Sequence, residues 1–530
     1  MYSKFMYICG LKFKIKTTNI MHKKTLQRIR RVLAAIFFLG ITLMVLDFTG
    51  TLHKFLAWMA KVQFLPAVLA LNFIVVAILL IITLLFGRIY CSVICPLGVF
   101  QDGVAHVHNW AKKNRYTFSK AHNILRYIML GVFVITLIAG VSSLAALLAP
   151  YSAYGRIVQN LFAPIWQWCN NGLAILSEHF NSYAFYSKEV WMRSLPTFII
   201  AAVTFVVIVI LAWRNGRTYC NNICPVGTFL SFFSRFSWFK MHINEEKCVQ
   251  CGLCTKNCKA SCIDGKNGFV DYSRCVTCGN CMAVCPKEAI EYKHVKGNPT
   301  VVGANNHSTQ PNDKQTDTEN VDTSKRAFLI GSAVALGTAA FAQEKKKVDG
   351  GLAAIEDKVA PERETPIVPA GAGSLQRFRT RCTGCQLCVS QCPNDVLRPS
   401  TDLMHLMQPV MSFERGYCRP ECTACSDVCP TGAIQKLLKE EKAVTKKGQA
   451  IWVVQNCIVV ADGIPCGNCA RHCPAEAIEM VPKRGDNTGK LLIPAINESK
   501  CIGCGACEYV CPARPLSAIY VEGIEQQRVI

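Results

Sequence analysis

Acidic side chains are scarce in this chain: 35 Asp and Glu stand against 58 Lys and Arg, a formal net charge of +23 over 530 residues. The first 31 residues hold nine Lys/Arg and no Asp or Glu. Also missing are a Walker A run, a Rossmann glycine fingerprint beside a predicted strand and a Ser/His/Asp nucleophile arrangement, so the commonest nucleotide-binding and hydrolytic chemistries are excluded. There is no Met/His-rich tract of the kind that gathers copper. Cysteine, in contrast, is abundant, at 31 residues. Secreted disulfide scaffolds are short chains with irregular Cys intervals. Here most cysteines fall in runs of C-x2-C-x2-C-x3-C, usually followed by Pro, which is the ligand run of bacterial iron–sulfur ferredoxins. Such a chain reads as a conductor of electrons rather than a maker of new bonds.

The basic charge by itself would suit a polyanion. Each oxidised [4Fe–4S] core with four thiolates carries about two negative charges, however, so six clusters would cancel about twelve of the positive ones. Nucleic acid is therefore not an expected partner, and much of the remaining charge sits where an anionic membrane leaflet would attract it.

Hydrophobic residues make up 51% of the chain, and four long apolar stretches precede the main cysteine region, at 32–48, 64–86, 124–149 and 195–213. Each approaches the roughly 20 residues of helix that cross a bilayer core. Lys and Arg concentrate in the N-terminal arm, in the 88–122 loop (Lys112, Lys113, Arg115, Lys120) and after the fourth stretch (Arg214, Arg217, Arg235, Lys240). These segments are expected inside, and the Lys/Arg-poor connections around 53–61 and 150–193 outside. Met21 is a second candidate start.

An internal repeat marks the same region. Gly87-Arg88-Ile89-Tyr90-Cys91 followed by Ile94-Cys95-Pro96 recurs as Gly216-Arg217-Thr218-Tyr219-Cys220 followed by Ile223-Cys224-Pro225. Both copies follow an even-numbered apolar stretch, so duplicated chemistry is expected. Cys91, Cys95, Cys220 and Cys224 are candidates for the redox path, and Asp102, His106 and His108 for accepting protons.

The expected organisation is a multi-domain chain. A basic arm (1–31) leads into a four-helix transmembrane core with the two C-x3-C-P repeats (32–242). An α+β ferredoxin-like two-cluster domain (243–293) and a polar linker (294–323) follow. Residues 324–342 have a basic start, an apolar middle and an Ala-x-Ala exit, the parts of an export signal, or, if uncleaved, of a fifth membrane anchor. A linker (343–374) then precedes a four-cluster polyferredoxin (375–530).

In two-cluster ferredoxins the fourth Cys of each run serves the other cluster. Cys248, Cys251, Cys254 and Cys285 thus form one set, and Cys275, Cys278, Cys281 and Cys258 the second. Lys259 stands where Pro usually follows the fourth Cys, which loosens the turn without touching the ligands. The C-terminal module has four runs, Cys382/Cys385/Cys388/Cys392, Cys418/Cys422/Cys425/Cys429, Cys457/Cys466/Cys469/Cys473 and Cys501/Cys504/Cys507/Cys511. The two regular runs are outermost, which suggests nesting, with Cys382, Cys385, Cys388 and Cys511 sharing a cluster; sequential pairing fits the spacing as well. These 24 cysteines would hold the iron of six [4Fe–4S] clusters. Cys9, Cys169 and Cys262 are left over as structural.

With four apolar stretches, two C-x3-C-P repeats and a two-cluster module, residues 30–293 resemble the NapH-type membrane ferredoxins; NosR-like and FixG/RdxA-like proteins have similar membrane cores. Residues 324–530, where Ser324-Lys325-Arg326-Ala327-Phe328-Leu329 resembles a twin-arginine signal with Lys in the first Arg position, look like the NapG/MauM-type periplasmic ferredoxins. The resemblance implies a fused quinol dehydrogenase at the cytoplasmic membrane. It implies quinol as electron donor, the quinone pool and a periplasmic reductase as partners, and a periplasmic C-terminal polyferredoxin. The FixG likeness implies an alternative, an assembly or maturation factor for a metalloenzyme.

Overall fold

The computed structural model describes residues 23–111, 116–183, 185–294, 357–483 and 491–530. Cys9, the expected export signal at 324–342 and most of the linkers flanking it lie outside the described residues. Among the described residues, two helices are long and apolar enough to cross a membrane, Thr25–Leu46 and Leu195–Asn215. The other two expected spans are interrupted. Leu71, at φ 56°, separates Phe64–Leu69 from Phe73–Phe86, and Gly140, at φ 73°, separates Asn123–Ile138 from Ser142–Leu148. The longer pieces have 14 and 16 residues, short of the roughly 20 that a bilayer core requires. Even so, all four apolar helices present large side chains outward. Ile36 and Leu39, Phe73 and Ile74, Ile128 and Ile135, and Ile199 and Val203 are each at least 50% exposed, a pattern that marks an interaction surface rather than a water-facing one.

The chain divides into two compact units. The first gathers the described residues of 23–39, 78–127 and 209–294. In it, each repeat turns sharply after its apolar helix at a glycine of positive φ, Gly87 (77°) and Gly216 (70°). Each then runs through a short helical turn, Ile89–Val93 or the π-helical Tyr219–Ile223, into a helix opened by Pro, Pro96–Ala111 or Pro225–Ser234. Proline suits that first position because its missing N–H has no partner there anyway. The ferredoxin module pairs strand Phe239–Ile243 antiparallel with Ile290–His294, Phe239 opposite His294. Met241, Ile243, Ile263, Val270, Met282 and Ile290 form its core.

The second unit gathers the described residues of 40–77, 128–208 and 357–530. Its C-terminal module has three antiparallel strand pairs, Leu397–Pro399 with Pro409–Met411, Ile478–Pro482 with Leu492–Ile496, and Thr445–Trp452 with Ile519–Val529. Residues 357–374 were expected as linker, but their apolar side chains find a core: Ile367, Val368, Ala370 and Ala372 are buried, and Arg363 pairs with Glu508 at 2.6 Å. Within this unit the module is bonded to the segments that connect the apolar stretches. Gln391 Nε2 donates to the carbonyls of Met44 and Asp47, at 3.0 and 2.5 Å. Arg193 donates to Val389 O and to Asp395, at 2.5 and 2.7 Å. The Trp191 ring lies 4.6 Å from the guanidinium groups of both Arg398 and Arg415.

Candidate metal centres

Each regular run delivers its ligands on a loop that ends in a one-turn helix. The residue after the second Cys takes a left-handed conformation there, so Gly is favoured. Gly252, Gly279 and Gly505 fill that place at φ 69°, 75° and 77°. Gln386 occupies it at 61°, and its Oε1 accepts from Asn160 Nδ2 at 2.9 Å. In the first module Cys248, Cys251, Cys254 and Cys285 line one cavity of about 380 Å³. Burial pushes the Cys281 thiol up, and the neighbouring Cys278, Cys275 and Cys258 add to the effect. In both sets the thiols that the spacing groups together lie near one another. Cys262 is buried with its Sγ 3.6 Å from that of Cys258, which places it against the second set rather than apart from it.

In the C-terminal module the thiols meet sequentially, not nested. Cys388 is pushed up by burial and by Cys385, Cys382 and Cys429. Cys392, Cys418, Cys422 and Cys425 line a cavity of about 410 Å³. Cys507 has Cys504, Cys501 and Cys473 beside it, and Cys469 has Cys466 and Cys511. The first and second runs thus exchange fourth ligands, as do the third and fourth, and the expected partnership of Cys382 with Cys511 is not formed. Short helices explain the outcome: Leu387–Ser390 packs on Ala424–Val428, and Asn468–Arg471 on Ala506–Val510. Four soft thiols around a small cavity fit a [4Fe–4S] core. Backbone amides already aim at the sulfurs, with Ala289 N on Cys285, Ala477 N on Cys473 and Ala518 N on Cys511, each at 3.3 Å. The two halves of the module touch where Cys418 N donates to Cys504 O at 3.0 Å.

In the first unit the two repeats close on each other. Cys91, Cys95, Cys220 and Cys224 are all buried. Burial pushes the Cys95 thiol up, with Cys220 and Cys91 as neighbours, and the Cys224 thiol up, with Cys220 and Cys95. The contacts between the copies are exchanged. Arg88 of the first repeat donates to Cys220 O at 3.3 Å and Arg217 of the second to Cys91 O at 2.6 Å. Arg88 also reaches Cys91 Sγ at 3.7 Å, and Gln101 Nε2 reaches Cys220 Sγ at 3.2 Å. Gly98 and Gly227 permit this closeness: a Cβ there would lie 2.2 Å from Cys91 O and 2.5 Å from Cys220 O.

Asp102, expected as a proton acceptor, sits in a cluster of cations. Burial alone would raise its carboxyl, but Arg217, Lys259 and Arg30 outweigh that and hold it well below the ordinary carboxylate range. Arg217 meets it at 2.9 Å and Arg30 at 3.1 Å. His106 is exposed, and His108 stacks on Trp213 at 4.4 Å between ring centres. Arg217, expected as an orientation charge, and Arg88, its counterpart in the first repeat, are both essentially inaccessible to solvent. Their matching places in the repeat were the available signal. Lys259 does more than loosen a turn: its carbonyl accepts from Arg217 N at 2.9 Å and its Nζ lies 3.8 Å from Asp102.

Comparison with known proteins agrees with these centres. Residues 68–115 and 196–244 each match a family model described as a 4Fe-4S binding domain. Others of that description match 245–261, 269–291 and 376–398, and a 4Fe-4S dicluster domain matches 464–514. The methylamine utilization ferredoxin-type protein MauM of Methylobacillus flagellatus is 33% identical over 166 residues, 30% of this chain and 70% of the relative. The ferredoxin-type protein NapG of Escherichia coli is 31% identical over 188 residues, 33% of this chain and 81% of the relative. NapF of the same organism is 26% identical over 159 residues, 29% of this chain and 85% of the relative. No solved structure matches significantly. Cysteine runs, paired thiols and relatives covered over most of their length lead to one assignment: the chain belongs to the MauM/NapG family of ferredoxin-type 4Fe-4S electron-transfer proteins.

Proposed function

We propose that the chain is a multi-pass protein of the cytoplasmic membrane that oxidises quinol and delivers electrons to a periplasmic reductase. The 24 cysteines of the ferredoxin runs would hold six [4Fe–4S] clusters, which supply one-electron transfer when bound. The observation that carries this reading is the order of ligand sets in the second unit. The Cys382/Cys385/Cys388/Cys429 set rests on helix Pro150–Ile157, where a Cβ on Gly155 would come within 2.5 Å of Cys385 O. The set with Cys392 follows by ligand exchange, and the Cys418–Cys504 bond leads to the third. The last set, with Cys466, Cys469 and Cys511, lies beside residues 461–465, all of them exposed. A row with a covered beginning and an open end suits intake near the membrane and release to a soluble partner. Orientation is supported by composition: the second unit collects the Lys/Arg-poor connections, the first the basic ones.

The test uses the full chain in anaerobic proteoliposomes with a short-chain quinol, cluster reduction being followed by electron paramagnetic resonance. Quinol should reduce the clusters. Reduction by dithionite alone would overturn the assignment of quinol as donor. In spheroplasts, added protease should remove a C-terminal tag and spare one placed at 297–323. Protection of both tags would leave a wholly cytoplasmic relay.

A further inference from the structure

The two segments 68–115 and 196–244 that match a 4Fe-4S binding domain hold only two cysteines each, Cys91 with Cys95 and Cys220 with Cys224. A cluster of this kind takes four thiolates, so neither segment suffices alone. The fold removes the shortage by bringing both pairs, all buried, to one place.

The charges around this place are unbalanced. Arg88 is 0% exposed, and among the described residues no carboxylate is within ion-pair distance of it; its donors end on Asn221 Oδ1, on the carbonyls of Ser273 and Cys220 and on Cys91 Sγ. Asp102 is the one carboxylate for Arg217, Arg30 and Lys259 together. A buried guanidinium without countercharge is costly. Four neutral thiols do nothing to offset it, and neither does a pair of disulfides. A core bound by four thiolates brings about two negative charges to the spot.

We propose that Cys91, Cys95, Cys220 and Cys224 together hold a seventh [4Fe–4S] cluster, one site shared by the two repeats and countered by Arg88 and Arg217. Zinc bound by four thiolates would have the same charge. The surroundings favour iron and sulfide: Lys259, bonded to Arg217 through its carbonyl, directly follows Cys258, and Ser273, bonded to Arg88, precedes Cys275 by two residues. The site therefore abuts the Cys258/Cys275/Cys278/Cys281 set. The inference goes beyond the proposed function, which needs only the six clusters of the ferredoxin runs.

The experiment is iron and acid-labile sulfide analysis of the full chain purified anaerobically in detergent. Wild type should carry about 28 iron atoms, and the double variants Cys91→Ser/Cys95→Ser and Cys220→Ser/Cys224→Ser about 24 each, by four-iron arithmetic. The quadruple variant should also carry about 24, because both pairs serve one cluster. A wild-type value of about 24, or a zinc atom that disappears with either pair, overturns the proposal, as does loss that adds between the pairs. Should a variant lose iron from the other clusters by misfolding, native mass spectrometry of the wild-type chain decides alone: seven whole clusters support the site and six refute it. Zinc throughout the chain would instead defeat the broader ferredoxin reading.

Discussion

The cysteines of the ferredoxin runs and those of the C-x3-C-P repeats meet in fours by different means. In the runs, each set is completed by a residue from the neighbouring run, and backbone amides such as Ala289 N and Ala518 N point at the sulfurs. In the repeats, the set is completed by a second copy of the same motif over a hundred residues away, and side chains, Arg88 and Gln101, approach two of the sulfurs beside the amide of Gly227, which donates to Cys224 Sγ. Amides contribute partial charges and guanidinium groups whole ones, so the repeat site is built for more concentrated negative charge.

The largest effect expected from breaking this comparison lies in the runs. Cys385→Ser should remove about four of the iron atoms, and adding Cys429→Ser should remove no more, since both serve one cluster. Adding Cys511→Ser to Cys385→Ser should remove about four further. Iron and sulfide per chain give the answer, and the reverse pattern would restore nesting.

A smaller effect tests the charges at the repeats. Asp102→Asn should destabilise the first unit by about 3 kcal/mol near neutral pH, the scale for removing one partner of a buried ion pair. Because the native carboxyl is held below its ordinary value, its contribution is fully present above that value, about 3.9, and is lost as pH falls further. Melting temperatures of wild type and variant should therefore differ constantly from pH 8 to 5 and converge below about pH 4. A gap that persists in acid would show that Asp102 acts by shape alone.

The smallest effect concerns the one regular run without glycine at its left-handed position. Gln386→Gly relieves a backbone cost of about 1 to 2 kcal/mol but forfeits the hydrogen bond from Asn160, itself about 1 kcal/mol. Unfolding should shift by less than about 1 kcal/mol with iron content unchanged; a loss of iron would make Gln386 part of the ligand loop's support.

The cysteine runs were legible because ligand spacing is a local property, and the sets of the first module follow from it. Pairing among the four C-terminal runs was not, because regular and distorted spacing says nothing about which short helices pack together. The interruptions at Leu71 and Gly140 were hidden by apolar composition, which continues through both. Arg88 and Arg217 were visible as repeat positions, but their burial depends on contacts more than a hundred residues apart, with Cys220 and Cys91.

Sequential exchange of ligands also divides the module along the chain. Every cysteine of the first C-terminal pair precedes residue 430, so both of its ligand sets are complete before the remainder of the chain is made. A nested arrangement would have kept Cys382 waiting for Cys511. The last strand, Ile519–Val529, then locks what has been filled: it pairs with Thr445–Trp452, and Gln527 Nε2 donates to the carbonyls of Val368 and Pro369 at the module's other end. A chain cut short before that strand would keep every cysteine of the runs, yet lack this clasp.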